Sequence, residues 1–283
     1  MKKMNIKILG ILTALLIFGM YFTSCEKEGE QSSGKLQIQL TDAPFPLDLV
    51  TEANVTISKI EIREKIQNDE DGNPFITLSE EEMSFNLLEL TNGVTANLVD
   101  LELEAGSYDL VRLYVSKASI KLSSGNEYEI HVPSGDKTGI KIFIDPYIEV
   151  TGGLTSELLL DLDVSKSFLL LGNLNSPAGV KGFIFKPVIK ASNLSTAGRL
   201  TGMVTDTSNV AIGGTEVSVI VADTVYTTSF TDLSGAYTLL GLDADKYIVE
   251  FAKEGYQNFI VEDVEIVAGN ATKLDAELIP NGE

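Results

Sequence analysis

The residue types able to do chemistry in this 283-residue chain are few, and most of them are carboxylates. His131 is the only histidine. A histidine-based metal cluster is therefore excluded, and a Ser-His-Asp site would have to use this one imidazole although no Gly-x-Ser-x-Gly elbow is present. Beside Val132 and Pro133 it is expected at a strand end, in a structural or surface role. Asp161 and Asp163 alternate in Leu-Leu-Leu-Asp-Leu-Asp-Val, which puts both on one face of a strand where a paired acid and base would fit. A strand with an apolar inner and an acidic outer face has the same spacing. Residues 68 to 73, Asn-Asp-Glu-Asp-Gly-Asn, contain an Asp-x-Asp-Gly run of hard oxygens suited to calcium. The closing Glu of a full calcium loop is absent, so a hairpin turn is the default. No phosphate loop or dinucleotide fingerprint follows a strand, so nucleotide cofactors are not implied. No catalytic, cofactor-binding or metal-ligating residue is assigned: the chain reads as a non-enzyme, with an Asp- or Glu-dependent hydrolase as the rival class.

Sugar binding depends on flat aromatic faces, and the chain has no Trp. Tyr226, Tyr237, Tyr247, Tyr256 and Phe259 are the candidates for a Tyr-based surface, although Tyr237 and Tyr247 alternate as core residues do.

Cys25 is the only cysteine, so no internal disulfide can form. Lys2, Lys3 and Lys7 precede an uncharged apolar run from Ile8 to Phe22, and Thr23 and Ser24 lead into Cys25. That order is the one of an export signal over residues 1–24. The run is too short for a comfortable span, since about 20 helical residues are needed to cross the hydrocarbon. Phe22-Thr-Ser-Cys25 resembles the bacterial lipobox, with Phe22 in place of the usual leucine. The resemblance implies diacylglycerol on the thiol and an N-acyl chain, and hence an effectively permanent membrane anchor. Residues 26 to 34 have no apolar side chain and read, with Cys25, as a flexible tether over 25–34. Their acidic start resembles the signal that follows the lipidated cysteine in surface-exposed lipoproteins of Bacteroidetes-type bacteria. An outer-membrane location facing the exterior is the expectation.

Without residues 1–24 the chain carries 18 basic against 41 acidic residues, about −23. Such a body repels phosphate backbones and stands off anionic lipid, so nucleic acid is not an expected partner. What positions these residues must be β-structure. Apolar residues recur at every second position in Leu36-Ile38-Leu40, Val55-Ile57 and Ile60-Ile62, with a phase slip at Ser58-Lys59 that predicts a bulge. The pattern continues over 98–103, 108–115, 120–122, 128–132, 140–144, 158–164 and 183–189, with turns at 71–74, 105–107, 123–126, 133–136 and 152–153. The short stretch 79–90 is a helix candidate. Residues 191 to 198 have the small polar composition of a domain boundary, and seven short strand candidates then fill about 85 residues, as in a small β-sandwich. The expected fold is all-β: a mainly antiparallel β domain over 35–191 followed by a seven-stranded sandwich over 198–280.

Two family resemblances follow. Gly202-Met-Val204-Thr-Asp206, Ala211-Ile-Gly213-Gly214, Thr231-Asp232-Leu-Ser-Gly235-Ala-Tyr237, Gly241-Leu242, Tyr247 and Gly255-Tyr256 resemble the carboxypeptidase-regulatory-like, or transthyretin-like, β-sandwich. That resemblance implies a fold in which some relatives bind starch-like glycans and others act as spacers or collars. Leu40-Thr41-Asp42-Ala43-Pro44, Leu103-Glu-Ala-Gly106-Ser-Tyr108-Asp-Leu-Val-Arg112-Leu, Val132-Pro-Ser-Gly135, Gly139-Ile-Lys-Ile142 and Phe185-Lys-Pro187-Val-Ile189 resemble the DUF4382 type of bacterial and archaeal lipoprotein domain, which has no assigned activity. The combined expectation is a lipid-anchored surface protein with a binding or adhesion role, its ligand a glycan or a surface protein. The alternative is a spacer or component of an envelope complex.

Overall fold

The computed structural model describes residues 32–42, 49–65, 74–132, 137–173 and 179–282. Cys25, the run 68–73, Ala43-Pro44 and the turn 133–136 lie outside them. The expectation of an all-β fold is met. The first region contains β1 (Ser33–Thr41), β2 (Val50–Glu64), β3 (Phe75–Ser79), β4 (Met83–Asn86), β5 (Ala96–Glu104), β6 (Gly106–Leu122), β7 (Glu127–Ile130), β8 (Ile140–Val150), β9 (Thr155–Leu162), the one-turn helix α1 (Val164–Ser167), β10 (Phe168–Gly172), β11 (Val180–Phe185) and β12 (Ile189–Asn193). One sheet has the order β12-β9-β1-β5, with β1 and β9 parallel. A six-stranded sheet is built on the long antiparallel pair β2-β6, with β3 and β4 on the free side of β2 and β7 and β8 on the free side of β6.

Alternation explains the packing. Leu36, Ile38 and Leu40 of the first sheet and Ile57, Ile60, Ile62, Val111 and Leu113 of the second are fully buried in one core. The expected bulge is present: β2 slips register against β6 at Thr56/Ile57 and Ile57/Lys59. Several boundaries differ from expectation. The runs 108–115 and 120–122 are one strand, β6, because the bulge opposite restores its phase. The run 183–189 is cut after Phe185, near Pro187, which has no amide hydrogen for a ladder. The stretch 79–90 holds β4 and a single 3-10 turn, Leu87–Glu89, because pairing of Met83–Asn86 with β2 outweighs local helix propensity.

The second region contains β13 (Gly198–Asp206), β14 (Glu216–Val221), β15 (Thr224–Phe230), β16 (Ala236–Leu242), β17 (Lys246–Ala252), β18 (Phe259–Glu265), β19 (Ala271–Lys273) and β20 (Ala276–Leu278). A sheet in which β16, β19 and β20 all pair with β13 faces the sheet β15-β14-β17-β18 across a core of Leu200, Val204, Val217, Val219, Tyr237, Phe251 and Leu278. The last of the seven expected strands is two short ones, so the region has eight. Between them Leu274 O accepts from the Tyr237 hydroxyl and Asp275 Oδ1 from the Met203 amide, which diverts the chain from the ladder. The polar stretch 191–198 is no open linker: 191–193 complete β12, Ala191 and Ser192 are buried, and the chain turns into β13 within four residues.

Candidate functional site

Two of the places where polar side chains gather among the described residues bear on function. The first is a groove of about 470 Å3 on the first region, lined mainly by Asn54, Thr56, Ser116, Lys117, Glu129 and His131. Sheet topology creates it. β8 pairs with β6 only as far as Leu113 and β7 only from Ala118, so 114–117 lack a partner strand on that side. The walls are tied down: Ser116 Oγ donates to Glu82 Oε1 at 3.1 Å, Ser119 Oγ to Glu127 Oε1 at 3.2 Å, and the Thr56 and Ser84 hydroxyls meet at 2.9 Å. Lys117, Glu129 and His131 are exposed and make no hydrogen bond or ion pair within the described structure. A cation, a carboxylate and an imidazole are therefore open to solvent there. His131 is placed at the strand end foreseen for it.

Next to the groove, on the same outer face, Glu61 is only 8% exposed. Burial works to raise its pKa, but Lys59 at 2.9 Å, the Tyr114 hydroxyl at 2.9 Å and Arg112 at 3.3 Å bring it below the ordinary glutamate value. The Arg112 guanidinium lies 3.6 Å from the centre of the Phe75 ring, its Nε buried without a partner. Gly139 lies so close to the Arg112 stem that a Cβ there would sit 2.4 Å from it. Arg112 and Gly139 belong to the quoted motifs, so those motifs encode an ion network, which the sequence did not reveal.

The second place is the seam between the regions. β1 ends beside β9 with Thr41 opposite Asp161, and Asp42 follows. Asp42 Oδ1 accepts from the Val164 amide at 3.0 Å, capping α1 from 122 residues away. Burial, with the charges of Asp161 and Asp163 added, pushes its carboxyl well above the usual range. Asp161 Oδ2 accepts from Thr227 Oγ1 of β15 at 3.4 Å. Asp163 lies past the strand end, where it accepts from the Lys166 amide and the Ser165 hydroxyl and pairs with Lys166 Nζ at 2.8 Å. The expectation of one acidic outer face is corrected here: Leu158, Leu159 and Leu160 are all buried, so β9 is covered on both faces. The void beside Asp42 and Asp161 is about 20 Å3, room for one water and not for a sugar or peptide.

Two more ties cross the seam. Asn92, at φ 57°, aims its side-chain amide at β16, accepting from the Thr238 amide at 2.6 Å and donating to Ala236 O at 3.2 Å. It thus pairs with that edge as a neighbouring strand would. Lys190 Nζ sits 3.3 Å from the centre of the Tyr226 ring, whose hydroxyl donates to Asp243 Oδ2 at 3.0 Å. Burial lowers the Lys190 pKa to about 8 despite the nearby charges of Asp243 and Asp161. The aromatic residues singled out for sugars do not form a platform. Tyr237 and Tyr247 are core, Tyr226 is committed to the seam, Tyr256 is half-buried, and Phe259 packs its ring 6.0 Å from that of Phe251.

The model for the domain of unknown function DUF4382 matches residues 33–187, more than half of the chain. The chain belongs to the DUF4382 family. In this DUF4382 protein a second model, the carboxypeptidase regulatory-like domain, matches residues 199–279. No curated protein gives a significant match to it. Among solved structures, the DUF4382 protein is similar to a cohesin–X-dockerin complex from Acetivibrio cellulolyticus at 14% identity and TM-score 0.24, over 29% of this chain and 56% of the other. A candidate carbohydrate-binding protein from Bacteroides uniformis ATCC 8492 is similar at 22% identity and TM-score 0.26, over 29% of this chain and 41% of the other. The shaft pilin SpaA of Lactobacillus rhamnosus GG is similar at 9% identity and TM-score 0.29, over 89% and 99%. The chain thus spans less than two thirds of the first two, and at these TM-scores the likeness carries no argument.

Proposed function

We propose that this DUF4382 protein is a lipid-anchored outer-membrane protein, facing outward, that binds a neutral oligosaccharide and catalyses no reaction on it. The membrane part of the reading rests on the signal-like residues 1–24, on Cys25 as the acylated residue, and on the acidic tether behind it. The observation that carries the binding part is the groove with unpartnered Lys117, Glu129 and His131 among tied-down Asn, Ser and Thr side chains. A cation, a carboxylate and an imidazole side by side offer donors and acceptors to hydroxyl groups. With Glu127 and Glu129 against Lys117 the groove repels phosphorylated or sulfated ligands. Against the hydrolase reading stands the geometry of Asp161 and Asp163: one lines a void of only about 20 Å3, the other caps a helix.

A rigid spacer is the second reading, favoured by the ties that Asn92, Asp161 and Lys190 make across the seam. The test has two arms. Surface labelling of intact cells compares the wild type with Cys25→Ala, and a glycan array is probed with both proteins. Labelling lost with Cys25→Ala, together with binding of neutral glycans by both proteins, is the expected result. A shielded wild type removes the outward orientation, and an array without binding leaves the spacer.

A further inference from the structure

We propose that the small void at the seam is a site for one calcium-class divalent cation that ties the two β regions together. Asp42 and Asp161 line it from the first region and Ser229 from β15 of the second, beside Thr41, Thr227 and Thr238. Two of these groups are buried without a partner: Asp42 Oδ2, in a residue 5% exposed, and Ser229 Oγ, in a residue 2% exposed. Buried oxygens without a partner are costly, and here both belong to residues that line the same void. A carboxylate pair balances a doubly charged ion, and hydroxyl and main-chain oxygens complete the shell that calcium prefers. No His or Cys lines the void, which disfavours softer metals, and magnesium would arrive with waters for which about 20 Å3 has no room. The described residues hold no group of three or more His, Cys, Asp or Glu able to ligate a metal, so the site depends on two carboxylates completed by neutral oxygens.

Burial and the charges of Asp161 and Asp163 favour the protonated form of Asp42. The site is independent of the groove, since the ion bridges the regions whatever Lys117, Glu129 and His131 bind.

The test uses the full chain, solubilised in detergent and freed of metal with EGTA. Calcium chloride is expected to raise Tm by about 5 °C. Terbium should give tyrosine-sensitised luminescence that calcium displaces, with Tyr226 as the nearby donor. Asp42→Asn keeps an oxygen for the Val164 amide and therefore folds; it and Asp161→Asn should each abolish both signals. The Asp69→Asn/Asp71→Asn double variant, which disables the other calcium candidate, should keep both. A wild type that shows neither signal overturns the proposal in favour of a water or a shared proton. Signals that survive Asp42→Asn and vanish in the Asp69/Asp71 variant overturn it as well.

Discussion

The two regions differ in how their most buried and best-bonded carboxylates are used. In the second region two carboxylates close turns, although Asp275 still reaches across to the Met203 amide. Asp232 Oδ1 accepts from the Ser234 and Ala236 amides at 2.8 and 3.0 Å, and Asp206 Oδ1 accepts from the Ser208 and Val210 amides at 2.8 and 2.9 Å. In the first region they act between strands far apart in sequence: Glu61 binds Arg112, and Asp42 caps α1. Charge spent on closing turns leaves a stiff sandwich with little chemistry on offer. Charge held between strands makes a preorganised polar face. On the function proposed above, recognition falls to the first region and mounting to the second.

The largest expected effect breaks the second region alone. A Cβ on Gly202 would stand 1.8 Å from Leu274 O, a backbone atom. Gly202→Ala should therefore cost more than about 4 kcal/mol. Urea unfolding followed by hydrogen exchange should then show second-region amides exchanging first while β2 and β6 stay protected.

Arg112→Ala is the counterpart in the first region. It leaves Glu61 buried with Lys59 and Tyr114 only, and should cost about 3 kcal/mol in chemical denaturation. Arg112→Lys restores charge without the planar stack on Phe75 and should recover only part of it.

Asn92→Ala tests how tightly the regions are joined. It removes two hydrogen bonds to β16, and about 1–2 kcal/mol should be lost. One calorimetric transition should broaden or split into two. An unchanged single transition would show that Asn92 is not what couples them.

The smallest effect concerns pH. Lys190 has a folded pKa near 8, below its ordinary value, because burial disfavours its charge. The unfolded chain therefore binds more protons between about pH 8 and 10, and this group makes stability rise over that window. Its cost is fully present below pH 8. Lys190→Met should flatten the rise in a Tm-against-pH series, and a rise that persists would place its origin elsewhere.

Legibility in the sequence divides along the same line as the two regions. The Asp232-to-Gly235 turn is local in kind, since all its bonds lie within four residues, with Gly235 at φ 79° as a tight turn requires. The Ser58-Lys59 bulge was readable because alternation is a local property. Thr41, Asp42 and Arg112 were visible as motif residues, yet their roles depend on partners 49, 122 and 51 positions away, which no spacing rule supplies. Asn92 gave no signal beyond Asn-Gly, a turn dipeptide, although it reaches 146 residues ahead to Thr238. The groove could not have been foreseen, since it depends on where β7 and β8 stop along β6.

The measurement that bears most directly on the division of labour is isothermal titration with the neutral oligosaccharide that a glycan array ranks first. It compares the wild type with the Glu129→Ala/His131→Ala pair in the groove and with Phe259→Ala on the second region. Binding lost in the groove variant and kept in Phe259→Ala is the predicted result. Binding kept in the groove variant and lost in Phe259→Ala would move recognition to the second region and contradict it.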